Sequence, residues 1–345
     1  MTTTLAELTT LRVGGPAREL VVAETEVDLV ESVRDADAAG LPVLLVAGGS
    51  NLVVGDAGID ARVVLVRTRG IAVESDTCGG AWLTVAAGEP WDDVVVRAVA
   101  EEWSGIEALS GIPGSAGATP LQNVGAYGQG VADVVARVRT FDRAVGAQRT
   151  FMAADCGFGY RTSRFKTEPG RYVVLDIALQ LRISPVSSPI RYAELARHLG
   201  TDVGARAPLG DVRDAVLALR RAKGMVLDET DHDTWSVGSF FTNPVLDPDR
   251  AGDLPDGAPR YPMPDGQVKT SAAWLIEHAG VARGHSLGAP ASVSTKHTLA
   301  LTNRGGATAA EVLDLAAHVG RRVHDAFGID LEPEPTLVGC ALPTT

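Results

Sequence analysis

The stretch from Gly111 to Gly128, GIPGSAGATPLQNVGAYG, constrains this chain more than any other, because it crowds glycine, alanine and proline where no regular helix or strand can persist. It reads as a loop. Gly111, Gly114, Gly117 and Gly125 permit positive φ angles and leave backbone N–H groups uncovered, which lets a phosphate-bearing ligand approach closely. The segment matches neither GxGxxG nor GxxxxGK[ST], so the two best-known phosphate-loop geometries do not apply. A loop this long inside a compact domain is functional or disordered, and Ile112, Leu121, Val124 and Tyr127 carry too much apolar surface for disorder. A plain connection is the competing reading, and the loop alone does not separate the two.

With 345 residues, 45% of them hydrophobic, the chain has material for two or three domains. A net charge of −12 without any block of lysine and arginine argues against nucleic acid or an anionic membrane surface as a partner. Anionic ligands must therefore meet local cations. The N-terminal MTTTLAELTTLRVGG has no basic stretch followed by an apolar run, and no apolar run approaches the ~20 residues of a membrane span, so a cytoplasmic location is expected. Cys78, Cys156 and Cys340 are scattered and odd in number, which fits reduced thiols; neither they nor the seven histidines form a metal motif, and no metal is expected. Only Lys166, Lys223, Lys269 and Lys296 are lysines among 31 basic residues. Any one of them could be a solvated surface residue, yet all four fall in motif-like stretches.

Taken in order, Glu19 to Ala23 reads as a strand, and Thr25 caps a helix with Leu29, Val30, Val33 and Ala36 on its apolar face, ending at Gly40. An extended segment, VLLVAGGSNLVV, then places Gly48, Gly49, Ser50 and Asn51 at the end of a buried strand, where either a tight turn or a functional loop fits. After strands at Val63 to Val66 and in WLTVAAG, a helix from Pro90 to about Glu102 packs Val94, Val95, Ala98 and Val99 and leads into the glycine loop. VVARVRTF is strand-like, and the alternation from Val173 to Ile183 predicts a half-buried strand of an antiparallel or mixed sheet. Between them FGYRTSRFK sets Arg161, Arg164 and Lys166 among aromatic residues, a surface suited to an anion or a solvated hairpin tip. A helix with Val212, Ala215, Val216 and Leu219 precedes a boundary near residue 220. The last third holds short β segments, a helix in SAAWLIEHAG, and a helix opened by the capping box Thr308–Glu311 and stopped by Gly328, a small α+β domain.

GGSN, SGIPGSAGATPLQNVGAYG, GYRTSRFK, GSFFTNP and LEPEPTLVG, in this order and spacing, closely resemble the UDP-N-acetylenolpyruvoylglucosamine reductases, flavoenzymes of peptidoglycan precursor synthesis. The resemblance spans nearly the whole chain. It implies an α+β fold: a two-subdomain FAD-binding fold of the vanillyl-alcohol-oxidase type plus a C-terminal α+β substrate-binding domain. The parts would be 1–69, then 70–220 with 330–345, then 221–329. It further implies non-covalent FAD, NADPH as reductant, a small sugar-nucleotide substrate and a monomer. Carried over by position, Gly48, Gly49, Ser50, Asn51 and Leu52 would line FAD together with Pro113, Gly114, Ser115, Gly117, Ala118, Thr119, Gln122, Asn123, Gly125 and Ala126. Exposed N–H groups of these stretches would serve its diphosphate.

The family's catalytic trio falls on Arg161, Ser239 and Glu334. It implies that hydride from reduced flavin reaches the terminal enolpyruvyl carbon, that Arg161 and a protonated Glu334 stabilise the enolate, and that Ser239 delivers the proton. Tyr192, Lys223 and Asn243 would grip the substrate diphosphate, joined by Tyr261, Lys269, Lys296 and His297. RYAEL around Tyr192 resembles one subgroup and the Lys296–His297 pair the other. Two other classes compete: a different flavin oxidase on the same fold, which would often tether flavin through histidine or cysteine, absent from both FAD-side stretches; and a non-catalytic sugar-nucleotide-binding protein, which the intact trio disfavours.

Overall fold

The computed structural model describes residues 4–76 and 79–343; Cys78 lies outside the described residues. Tyr172–Ile183 is the central strand of a six-stranded sheet. Val135–Asp142 and Gly80–Ala86 flank it, Ala147–Met152 and Ile71–Asp76 form the edges, and Trp103–Ser104 pairs with its end; every pairing is antiparallel. The strand is buried on both faces as far as Leu179, where the alternation predicts one solvated face. Asp176 explains the difference: Arg139 Nε donates to its carboxylate at 2.6 Å, so an acid that reads as solvent-facing is held inside as an ion pair. Arg139 reaches on to Glu26, in the first turn of the helix Glu26–Ala38.

That helix forms as its pattern predicts. Thr25 and Asp28 close a reciprocal capping box, and Leu29, Val30, Val33 and Ala36 are buried. The extended VLLVAGGSNLVV splits, however, into strands Val43–Val46 and Leu52–Val54 that join different sheets. The first pairs in parallel with Ile59–Val66, and the second in parallel with Thr336–Val338, nearly three hundred residues later.

Packing groups the chain into two units, one of Met1–Pro16, Gly49–Ile59 and Leu227–Thr345, the other of Ala17–Gly48 and Asp60–Val226. The second unit holds the six-stranded sheet and a core running from Leu29 through Trp91 and Phe141 to Leu181. The first is built around the helix Ala309–Phe327, whose Val312, Leu315, Val319 and Val323 are buried against short strands and the helix Ala272–His278. Thr308 and Glu311 close its capping box, and Gly328 takes the left-handed cap at φ 64°. This partition by packing differs from the three parts expected above, since residues 49–59 and the final strand pack with the C-terminal third. Among the described residues no helix is long and apolar enough to cross a membrane.

Candidate active site

In the unit that contains the glycine-rich stretch, the helix Trp91–Ala100 anchors it at its N-terminal end. Trp91 N–H donates to Gly114 O at 3.0 Å, and Asp92 accepts from Gly111 N–H at 2.6 Å while both its oxygens take the Arg213 guanidinium at 2.7 and 2.8 Å. The stretch is not bare loop: Ala116–Ala118 forms a 3-10 turn, and Gly125–Ala126 pairs with Gln129–Gly130. Its N–H groups are also less available than the glycine content suggests. Those of Ala116, Gly117, Ala118, Thr119, Asn123 and Val124 all donate to carbonyls of the protein. Burial is the reason, because an N–H removed from water must find an acceptor. Ser115, Gly117 and Thr119 are buried, and only Pro113 and Ala118 among the expected FAD-lining residues of this stretch are well exposed.

What glycine does provide is close approach. A Cβ on Gly48 would sit 2.6 Å from the Gly114 Cα, so the two expected FAD stretches meet main chain to main chain. Backbone bare of side chains at such a meeting suits a flat, diphosphate-bearing cofactor.

Arg161 stands in the turn Gly159–Thr162 with a left-handed backbone, φ 52°, and donates through Nη2 to Gly125 O at 3.0 Å. Tyr192 and Lys223 are brought together around a residue absent from the expected set, Tyr127. Tyr192 meets its ring edge-on at 5.4 Å, and the Lys223 ammonium lies 5.7 Å over it while pairing with Glu194 at 2.6 Å. Burial pushes the Tyr127 phenol up to about 12, so it stays neutral through the physiological range. The aromatic-cation pattern of Tyr127 and Lys223 has no signal in sequence, because 96 positions separate them.

In the other unit Ser239 and Glu334 come close through strand-like pairing. The segment 239–242 runs between two others: Ser239 bridges Ala300 and Phe240 N–H donates to Leu299 O at 2.7 Å on one side. On the other, Glu334 N–H donates to Phe240 O at 2.8 Å and Thr242 N–H to Glu332 O at 3.0 Å. The buried rings of Phe240 and Phe241 hold this register. Asn51 completes the mesh, its amide donating to Glu334 O at 3.4 Å and its carbonyl accepting from Thr336 N–H at 2.9 Å. Gly49 must be glycine here: at φ 58° a Cβ would lie 1.9 Å from Leu8 O.

Tyr261 and Lys269 come together on one small sheet. Val245–Leu246 and Tyr261–Pro262 both pair with Val268–Lys269, the Lys269 ammonium lies 6.0 Å from the Tyr261 ring, and Asn243 Oδ1 accepts from Ala272 N–H at 2.9 Å. Lys296 and His297 sit on a separate tight loop, their N–H groups donating to Ser294 Oγ, with Lys296 ion-paired to Asp231. The buried Asp233 anchors that loop by accepting from Thr295 N–H at 2.8 Å and from Arg304 at 2.8 Å. Burial alone would raise its carboxyl, but the Thr295 hydrogen bonds outweigh it and hold the acid below the usual range. Cys156 and Cys340 are unlinked thiols, and burial pushes Cys156 up to about 11. Among the described residues no cluster of histidine, cysteine and carboxylate could hold a metal ion.

Residues 229–338 match the C-terminal domain of UDP-N-acetylenolpyruvoylglucosamine reductase, and residues 17–151 match an FAD binding domain. The chain is similar over 340 residues, at 57% identity, to the UDP-N-acetylenolpyruvoylglucosamine reductase of Cutibacterium acnes, covering 98% of this chain and 90% of that protein. The chain belongs to the UDP-N-acetylenolpyruvoylglucosamine reductase family. The reductase of Streptomyces coelicolor is 51% identical over 98% of this chain and 90% of its own length. A crystal structure of the reductase from Thermus caldophilus superposes with a TM-score of 0.66 at 27% identity, covering 98% of both chains. As a reductase of this family, the chain is an FAD-containing oxidoreductase acting on an enolpyruvyl CH–CH group with NADPH as reductant, in the making of a peptidoglycan precursor. The α+β architecture and FAD dependence expected from the motifs are borne out.

Proposed function

We propose that this chain reduces UDP-N-acetylglucosamine-enolpyruvate to UDP-N-acetylmuramate with Ser239 as proton donor and with Arg161 and Glu334 as the groups that stabilise negative charge. The observation that carries this reading is the backbone mesh that sets Ser239 and Glu334 on neighbouring segments and ties the latter to Asn51. FAD, when bound, would supply hydride chemistry between NADPH and the terminal enolpyruvyl carbon. The alkene electron pair then moves to the adjacent carbon and its carboxylate. Ser239 gives its Oγ proton to that carbon and regains one from water; the carbanion is basic enough that placement outweighs the weak acidity of a hydroxyl. The Arg161 guanidinium and a protonated Glu334 carboxyl offset the charge on the enolate oxygens.

Gly48 to Leu52 and Pro113 to Ala126 would hold FAD largely by shape and close backbone approach. Tyr192, Lys223 and Asn243 would grip the substrate diphosphate, with Tyr261, Lys269, Lys296 and His297 as further contacts. In functional terms 1–69 and 70–220 with 330–345 would serve FAD and 221–329 the substrate, in a cytoplasmic monomer. The test is anaerobic stopped-flow: NADPH should bleach the flavin spectrum, and the enolpyruvyl sugar nucleotide should restore it. Bleaching without return would overturn the substrate, and no flavin spectrum after adding FAD would overturn the cofactor. Acid precipitation should release the flavin into the supernatant, and flavin left in the pellet would overturn non-covalent binding.

A further inference from the structure

Three residues other than glycine hold left-handed backbones within one patch of the sheet-bearing unit: Asn123 at φ 46°, Tyr127 at 48° and Arg161 at 52°. Asparagine adopts this region readily, whereas tyrosine and arginine do so only where their surroundings impose it. The bonds around Arg161 show what imposes it. Asn123 Nδ2 donates to Gly159 O at 2.9 Å, and Gly159 pairs with Thr162 across the turn that carries Arg161. Asn123 Oδ1 accepts from Ala132 N–H at 3.0 Å, so the amide is fixed at both ends. The Lys166 ammonium donates to Arg161 O at 3.1 Å. Arg161 in turn reaches back to Gly125 O, two residues beyond Asn123. The strand of contacts is closed: 123 to 159, then 161 to 125.

We infer that the Asn123 side chain positions Arg161, acting through the Gly159 carbonyl, and is not itself a ligand of FAD, leaving to the main chain any approach of this stretch to the cofactor. This rests on the reading of Arg161 as the cation that stabilises the enolate. The side chain is engaged at both ends within the protein, its Nδ2 donating to one partner and its Oδ1 accepting from the other, a pairing that an aspartate of equal size can satisfy only by half. Lost positioning costs rate and spares cofactor affinity, because a displacement of about 1 Å in a charge-stabilising group is worth about a hundredfold.

The test uses Asn123→Asp, which keeps the Ala132 bond and loses the Gly159 donor, and Asn123→Gly, which removes the side chain while keeping the backbone at ease. Both are made in the wild-type and Arg161→Ala backgrounds. Three quantities are read: re-oxidation of the NADPH-reduced protein by the enolpyruvyl substrate, the FAD dissociation constant of the apoprotein, and, where Arg161 is retained, tryptic cleavage after Arg161 in the apoprotein. The expected result is re-oxidation slowed about ten- to a hundredfold in both variants, FAD affinity within twofold, faster cleavage after Arg161, and no further slowing when Arg161 is already alanine. Weakened FAD with normal re-oxidation at saturating cofactor would overturn the inference in favour of a cofactor ligand. Slowing that multiplies with Arg161→Ala would overturn it in favour of an independent role. If Arg161→Ala itself left re-oxidation unchanged, the enolate-stabilising reading would fall, and this inference with it. Should either variant fail to fold, the other, together with Asn123→His, which offers a ring N–H to the Gly159 carbonyl, decides the question by the same three readouts.

Discussion

Ser239 is half-buried, with its backbone held between the Ala300 and Glu334 segments, so removing its hydroxyl changes one atom and leaves the mesh in place. Ser239→Ala should therefore spare flavin reduction by NADPH and slow re-oxidation by substrate about 10²- to 10⁴-fold, the usual worth of a placed general acid. Rapid-mixing absorbance separates the two halves, and equal slowing of both would remove the proton-donor role. Gly49 makes a different kind of prediction. Gly49→Ala forces a side chain into a left-handed backbone, about 1–2 kcal/mol by handedness alone, and onto the Leu8 carbonyl. The variant should melt several degrees lower, as scanning calorimetry would record. At this scale the sequence was legible where glycine marks a close approach, as at Gly48 and Gly49. It was silent at Tyr127 and Arg161, because nothing in their residue types announces a positive φ that their surroundings impose.

Helices were the most readable elements. The faces of Glu26–Ala38 and Ala309–Phe327 are buried as their 3.6-residue periodicity requires, and both capping boxes form. Thr25→Ala should thus cost about 1 kcal/mol and lower the melting temperature by about 2–4 °C with turnover unchanged; a loss of turnover would mean that this cap also shapes the cofactor side. The strands were harder. Tyr172–Ile183 has the right period and the wrong burial, since local pattern cannot reveal that Arg139 waits opposite Asp176. VLLVAGGSNLVV looks continuous, and the partners that divide it, Ile59–Val66 and Thr336–Val338, are set by pairing that no local window contains. The glycine stretch was located correctly, yet its supply of open N–H groups was overstated, because a buried turn consumes them.

On the scale of the whole molecule, acid should be the sensitive direction. Asp92 is pushed up by burial but more than compensated by Arg213 and the Gly111 N–H, leaving its carboxyl below the ordinary range, and Asp233 is held low in the same sense. A carboxyl whose folded-state value is depressed adds stability that is complete above its unfolded value near ~4 and drains away as pH falls through the lowered one. Stability should be flat from neutral pH down to about 5 and then fall. Asp92→Asn should lower the plateau and shallow that fall in denaturant titrations at stepped pH; an unchanged slope would mean the Arg213 pair carries no linkage. With a net charge of −12, binding of this chain to duplex DNA should also be undetectable at physiological salt.

The pairing of Leu52–Val54 with Thr336–Val338, and of Asn51 with Glu334, has a meaning for how the molecule comes into being. A ribosome delivers the GGSN stretch more than two hundred and eighty residues before its partner strand. Leu52–Val54 thus waits as an unpaired edge while those residues emerge. A nascent chain that has passed Val54 but not yet reached Thr336 carries Leu52–Val54 without the strand it pairs with in the folded protein.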